Sequence, residues 1–127
     1  MDTLIRFGFS IEEIQTMMNT NHSIEEISDN DILDLIDLLK EINCKEEQIK
    51  NILLCNPFYI TNKKLKIKKL LRKLKEIGLT NIDLLLESNP YLLNMEEEEL
   101  DRIYNKKIHE GFSKEEIIDY INYNEVI

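Results

Sequence analysis

The sequence predicts an all-α protein: a right- or left-handed α-solenoid of about four helical repeats of roughly 34 residues, with the first repeat truncated. Three observations support this fold class. Leu and Ile dominate a chain that contains only 3 Gly and 2 Pro and no Trp. A turn signature recurs along the chain, and a second signature follows it at a nearly constant distance. The segments between these signatures carry apolar residues with helical spacing.

The first signature is a turn residue followed by an apolar residue, a helix cap, and acidic and apolar positions. Its four copies begin at Gly8, Asn43, Gly78 and Gly111, in steps of 35, 35 and 33 residues. Glycine and asparagine tolerate the left-handed backbone conformation that ends a helix. Two copies also have the spacing of a capping box, Ser10 with Glu13 and Ser113 with Glu116. We therefore expect one helix to end and another to begin at each copy.

The second signature is an asparagine that closes the shorter helix of each repeat. Its copies are Asn21, Asn56, Asn89 and Asn124, which follow their turns by 13, 13, 11 and 13 residues. Proline follows the second and third of these asparagines. Because proline favours the first position of a helix, we expect a one-turn element to start there.

These landmarks place longer and shorter helices in alternation. We expect longer helices near residues 30–42, 62–77 and 96–110, and shorter ones near residues 11–19, 45–55, 81–88 and 114–123. The first repeat retains only about Thr3–Phe7 of its long helix, so this end is either a cap or a surface for a partner, including a second copy of the chain. Since a two-helix unit cannot bury both faces alone, we expect one helical-repeat domain over residues 1–127. Its repeats would span approximately residues 1–28, 29–61, 62–94 and 95–127.

The composition also excludes several classes of protein. No segment approaches the ~20 apolar residues of a membrane span, and the N-terminus lacks the pattern of a signal peptide, so we expect a cytoplasmic protein without a membrane partner. Phosphate-binding glycine loops, nucleophile elbows and zinc spacings are absent, so we expect no enzyme activity, small-molecule substrate, cofactor or metal. Cys44 and Cys55 are expected on one helix about 16 Å apart, too far for a disulfide.

Half of the basic residues lie in one predicted helix, residues 62–77. They are Lys63, Lys64, Lys66, Lys68, Lys69, Arg72, Lys73 and Lys75, and they share the segment with one acid, Glu76. The spacing of Lys64, Lys68, Arg72 and Lys75 predicts one continuous stripe, with Leu65 pointing outward among the lysines. Such a stripe is the candidate nucleic-acid-binding site, because it can follow a phosphate backbone.

The remainder of the chain is strongly acidic, since the formal net charge is −9 with a sequence pI near 4.7. Acidic residues cluster on the predicted helices before and after the basic one: Asp29, Asp31, Asp34, Asp37, Glu96, Glu97, Glu98, Glu99 and Asp101. These are candidate contacts for a basic partner protein. The sequence leaves three interpretations of the basic helix open: neutralisation by its acidic neighbours in the stack, contact with nucleic acid, or contact with an acidic protein.

The aromatic residues follow the repeat rather than the basic residues. Phe58, Tyr59 and Tyr91 come directly after the Asn-Pro pairs, and Tyr104, Tyr120 and Tyr123 lie near the C-terminal end. A base-stacking platform would interleave aromatic and basic residues on one surface. The spacing therefore favours core positions over base stacking.

The order of long helix, Gly-Leu turn, short helix, Asn-Pro and apolar pair resembles the mitochondrial transcription termination factor (mTERF) family. The similarity is strongest over residues 67–79 and continues through residues 88–93. It implies a curved α-helical superhelix with a groove that faces nucleic acid. We therefore expect a regulatory binding protein that acts on nucleic acid or its machinery. The alternative is an acidic interaction module or inhibitor, of the kind that mobile elements encode, which docks on a basic protein.

Overall fold

The structure is a computed structural model, and it describes residues 2–122 of the chain. Within this range every regular element is helical. The α-helices are α1 (Asp2–Phe7), α2 (Ile11–Thr20), α3 (Asp29–Glu41), α4 (Glu46–Cys55), α5 (Lys64–Ile77), α6 (Ile82–Ser88), α7 (Glu97–His109) and α8 (Lys114–Asn122). Short 3-10 helices follow the second, fourth and sixth of these, at His22–Glu26, Pro57–Ile60 and Pro90–Asn94.

The all-helical prediction is confirmed, and every predicted helix is present within two residues of its expected limits. The one-turn elements after Asn21, Asn56 and Asn89 are the three 3-10 helices. The stacking into a solenoid, its hand, the number of repeats and the single-domain organisation stay predictions. None of the helices in residues 2–122 is long and apolar enough to cross a membrane.

All four predicted turn residues have a positive φ angle: Gly8 at 123°, Asn43 at 70°, Gly78 at 114° and Gly111 at 93°. The next residue in each turn donates its N–H to the carbonyl five positions earlier, over 3.0–3.1 Å. This hydrogen bond closes a Schellman motif, which satisfies carbonyl groups at the helix end. Both capping boxes are also formed, because each serine and glutamate exchange two hydrogen bonds.

The asparagines of the second signature are buried and have a common backbone role. The N–H groups of Asn21, Asn56 and Asn89 each donate to the carbonyl four residues earlier, and their own carbonyls accept from the residue three positions later. Each asparagine thus ends an α-helix and starts a 3-10 helix. Asn124, the fourth copy, lies outside the described residues.

One prediction about the cysteines is wrong. Cys44 does not lie on the same helix as Cys55, because α4 begins only at Glu46. The positive φ of Asn43 turns the chain just before Cys44, which is buried in the turn, whereas Cys55 is exposed at the end of α4. Neither cysteine forms a disulfide within the described residues.

The chain divides into two compact units, with the boundary between Lys64 and Leu65. In the first unit α1 packs on α3, and the 3-10 helix Pro57–Ile60 contacts α2, α3 and α4. In the second unit α6 packs on the 3-10 helix that follows it, and α7 packs on α8. Each unit has its own apolar core, built mainly from Leu and Ile side chains that are fully buried.

Candidate nucleic-acid interface

The helix α5 separates its apolar and basic residues onto opposite faces. Its buried residues are Ile67, Leu70, Leu71, Leu74 and Ile77, at the helical spacing of a single stripe. Burial of this stripe fixes the rotation of α5 in the second unit. As a consequence, the lysines between the apolar positions lie either on the open face of the helix or along its edges.

Four basic side chains lie on the open face of α5, and we call them the basic face: Lys68, Lys69, Arg72 and Lys75. All four are exposed. From Lys68 to Lys75 the helix advances about 10 Å at ~1.5 Å per residue. Leu65 is 63% exposed one turn before Lys68 and Lys69, as expected from the sequence. The one acid of α5, Glu76, approaches Arg72 at 3.9 Å.

Two other lysines of α5 are neutralised by carboxylates just before α7 and in its second turn. The Nζ atom of Lys66 lies 3.1 Å from Oε1 of Glu96 and donates to the carbonyl of Asn94 over 3.2 Å. Lys73 forms an ion pair and hydrogen bond with Asp101, and this bond raises the pKa of Lys73. Internal neutralisation of the basic helix, one of the three interpretations left open by the sequence, therefore describes one edge of α5.

The first two basic residues of the segment have different surroundings. Lys63 is exposed and precedes α5. Lys64 is half-buried, and its Nζ atom lies 3.4 Å from the carbonyl oxygens of Ile60 and Asn62. Burial lowers the pKa of Lys64, while the charges of Asp31 and Asp34 act in the opposite direction. Lys64 is thus the most enclosed member of the stripe predicted from the sequence.

The candidate acidic residues also fall into two groups. On α3, Asp31, Asp34 and Asp37 are exposed, whereas Asp29 accepts a 3.4 Å hydrogen bond from the backbone N–H of Thr3. Hydrogen bonding to Thr3 lowers the pKa of Asp29.

Around the start of α7, Glu96 and Asp101 are held by the lysines of α5. Glu97 is half-buried, and Glu98 and Glu99 are exposed. Two carboxylates around the start of α7 are therefore already paired within their unit, whereas α3 presents three carboxylates to solvent.

A comparison with protein-family models identifies the fold family. The mTERF family model matches residues 1–125, which is nearly the whole chain. This chain belongs to the mTERF family. The match confirms the resemblance carried by the Gly-Leu turn and the Asn-Pro pair. No curated protein and no solved structure matches the chain. The mTERF family consists of helical-repeat proteins that are associated with nucleic-acid binding and are generally non-catalytic.

The aromatic residues of this mTERF chain lie in the core only in part. Tyr59 is fully buried, but Phe58 is 47% and Tyr91 is 54% exposed, so the prediction of core positions is wrong for these two. In a 3-10 helix successive side chains point about 120° apart, so the residue directly after the buried or half-buried proline turns outward. Tyr104 and Tyr120 are half-buried. Tyr123 lies outside the described residues.

Sequence reasoning missed two exposed basic residues of the mTERF chain, Arg102 and Lys106 on α7. Their spacing of four residues places them near one another on the helix surface. The four glutamates at residues 96–99 make the net charge of this segment negative, so the segment does not stand out as basic. Counting charge by half-helix rather than by whole helix would have found them.

Proposed function

We propose that this mTERF chain is a non-catalytic helical-repeat protein that binds nucleic acid through the basic face of α5 and acts as a regulator of nucleic acid or its machinery. The observation that carries the proposal is the split within α5. Lys66 and Lys73 are held by carboxylates, whereas Lys68, Lys69, Arg72 and Lys75 point into solvent. These four side chains lie on one face of α5, and the one acidic residue of that helix is Glu76, near Arg72.

The physical basis is the release of counterions from phosphate. A lysine or arginine that reaches a phosphate displaces a condensed cation, which favours binding at low salt. A lysine that already holds a carboxylate contributes little, because it would have to break its ion pair first. The overall charge of −9 opposes binding at long range, so local geometry has to supply the attraction.

The test is a charge reversal on the open face of α5. We expect Lys68→Glu/Arg72→Glu/Lys75→Glu to abolish binding of fluorescein-labelled DNA and RNA oligonucleotides in fluorescence anisotropy at about 50 mM salt. The apolar face of α5 is untouched, so the helical circular dichroism should be retained. A matched control carries the same reversal at three exposed lysines outside this face, Lys40→Glu/Lys45→Glu/Lys114→Glu.

Three results would contradict the proposal. The first is that the wild-type chain binds none of the oligonucleotides at low salt, and the second is that the basic-face variant binds as tightly as the wild type. The third is an equal loss of affinity in both variants, which would mean that net charge rather than the basic face controls binding.

The acidic face of α3 supports a second candidate function, docking on a basic partner protein. Asp31, Asp34 and Asp37 are exposed along one helix of the first unit. Replacement of the three by asparagine should then weaken a salt-sensitive complex with a basic protein that co-purifies with the chain. If that complex survives the replacement, the acidic face of α3 is not its contact surface.

A further inference from the structure

We infer that the basic face of α5 is suited to a single, unpaired nucleic-acid strand rather than to a duplex. This inference rests on the proposed function and specifies its ligand. Its basis is the width of the positive surface. Lys68, Lys69, Arg72 and Lys75 occupy the open face of one helix, and carboxylates of α7 lie along one edge of that helix.

On one side of α5, the helix α7 supplies the acids. The ion pairs of Lys66 with Glu96 and of Lys73 with Asp101 show that α7 lies along this edge of α5. Outside these pairs, the exposed charges of α7 include two acids and two bases, Glu98, Glu99, Arg102 and Lys106, which cancel. The positive potential therefore does not extend from α5 onto the neighbouring helix.

The start of α5 presents less positive charge than its sequence suggests. Lys64 is half-buried, and its Nζ atom lies 3.4 Å from the carbonyl oxygens of Ile60 and Asn62. Lys64 therefore adds little to the exposed positive surface of α5. What remains is a row about 10 Å long and one helix wide.

A duplex presents two rows of phosphates to such a surface. The minor groove between these rows is about 6 Å wide and the major groove about 12 Å wide, and the phosphate groups on either side of a groove are further apart than its width. Neighbouring packed helices have axes about 8–10 Å apart, so a second row of phosphates would fall on the neutral or acidic surface beside α5. An unpaired strand has one row and avoids this repulsion, which acts over a Debye length of about 10 Å at 0.1 M salt.

The exposed Leu65 provides a second, independent reason. It lies one turn before Lys68 and Lys69 on the open face and is 63% exposed. A duplex hides the faces of its bases in the stack, whereas an unpaired strand can lay a base against an apolar side chain. An apolar residue among phosphate-binding lysines is therefore useful to a protein that binds an unpaired strand.

The experiment compares labelled 20-nucleotide single strands of DNA and of RNA with their blunt duplexes, by anisotropy at 50 and 200 mM salt. We expect a DNA or RNA single strand to bind at least about tenfold more tightly than its duplex. For four phosphate contacts, a plot of log K against log salt concentration should have a slope of about −3. Equal or tighter binding of the duplexes would overturn this inference and leave the proposed function standing. Absence of binding to all four ligands would overturn both.

Two variants test the structural reasons separately. Leu65→Ala should weaken single-strand binding roughly threefold and leave duplex binding unchanged, since only the base contact is lost. Glu98→Gln/Glu99→Gln should strengthen duplex binding more than single-strand binding, because it removes negative charge beside the basic face. The matched control Glu115→Gln/Asp119→Asn makes the same change in net charge on α8 and should leave the ratio of single-strand to duplex affinity unchanged. If both double variants change the ratio of single-strand to duplex affinity equally, the acids of α7 are not the reason why the duplex binds more weakly.

Discussion

The ammonium nitrogen of Lys66, on α5, lies 3.1 Å from a carboxylate oxygen of Glu96. Arg72, on the open face of the same helix, is 3.9 Å from Glu76 of α5 and remains exposed. Arg72 lies six positions after Lys66, but the two residues have different neighbours. Lys66 and Lys73 form ion pairs with carboxylates at the start of α7, and the basic face remains available for a ligand.

The first prediction follows from this difference. Lys66→Ala/Lys73→Ala should change nucleic-acid affinity less than about twofold, whereas Lys68→Ala/Arg72→Ala should lower it roughly tenfold at 0.1 M salt. Loss of the ion pairs should change the free energy of unfolding by less than about 1 kcal/mol each, since surface pairs contribute little. Anisotropy and urea titration measure the two quantities. Equal losses of affinity in both double variants would contradict the assignment.

A second prediction concerns the side chain of Asn21, which links the start of the first 3-10 helix to both ends of the second 3-10 helix. Its Nδ2 donates to Oγ1 of Thr61 over 2.9 Å and to the carbonyl of Pro57 over 3.4 Å. Because Asn21 is buried, Asn21→Ala leaves acceptors unsatisfied and should lower the free energy of unfolding by about 1–3 kcal/mol. Urea unfolding followed by circular dichroism measures this loss.

The control for this prediction is Asn51→Ala on the exposed face of α4, which should be nearly neutral. A double-mutant cycle of Asn21→Ala with Thr61→Val should give a coupling of at least about 0.5 kcal/mol. Additive effects of the two substitutions would mean that the hydrogen bond is not formed in solution.

The positive φ of Asn43 leads to a third prediction. Asn43 is the one non-glycine residue with φ above zero in residues 2–122, at 70°. Asn43→Gly should keep or slightly raise stability, while Asn43→Ala should lower it by about 1 kcal/mol, because alanine is strained in the left-handed region. Thermal and urea unfolding distinguish the two variants. A tolerated alanine would show that the turn adopts another conformation.

The sequence predicted this turn from the alignment of Asn43 with Gly8, Gly78 and Gly111, because the need for positive φ is local and only a few residue types meet it. The exposure of Phe58 could not be predicted in the same way. Which side of a 3-10 helix is buried depends on the elements that pack against it, and those are distant in sequence.

The same limit applies to the candidate site. Helical spacing placed Lys64, Lys68, Arg72 and Lys75 on one stripe, and it placed Leu65 outward, because both follow from the geometry of a single helix. It did not reveal that Lys64 is half-buried or that Lys66 reaches Glu96, since these contacts are set by neighbouring helices.

A fourth prediction concerns pH. The hydrogen bond from the backbone N–H of Ser10 lowers the pKa of Glu13, and the Nζ atom of Lys50 lies 3.2 Å away. A carboxyl group with a lowered folded-state pKa stabilises the fold above its unfolded pKa and loses that contribution as the pH falls below the unfolded pKa and through the folded one. Glu13→Gln keeps a capping acceptor but cannot titrate.

The stability difference between pH 7 and pH 3 should therefore be smaller in Glu13→Gln than in the wild type, as measured by urea unfolding at each pH. Glu12→Gln, at the exposed neighbouring position, is the control. If the free energy of unfolding of Glu13→Gln depends on pH in the same way as that of the wild type and of Glu12→Gln, the capping box does not contribute to acid sensitivity.

The proposed function requires four side chains on one helix face to contact phosphates, and the salt dependence of binding reports the number of such contacts. The measurement is the slope of log K against log salt for the wild type and for Lys68→Ala/Lys69→Ala/Arg72→Ala/Lys75→Ala, with a labelled single strand. We expect a slope of about −3 for the wild type and a slope near zero for the variant. A variant that binds with the wild-type slope would contradict it.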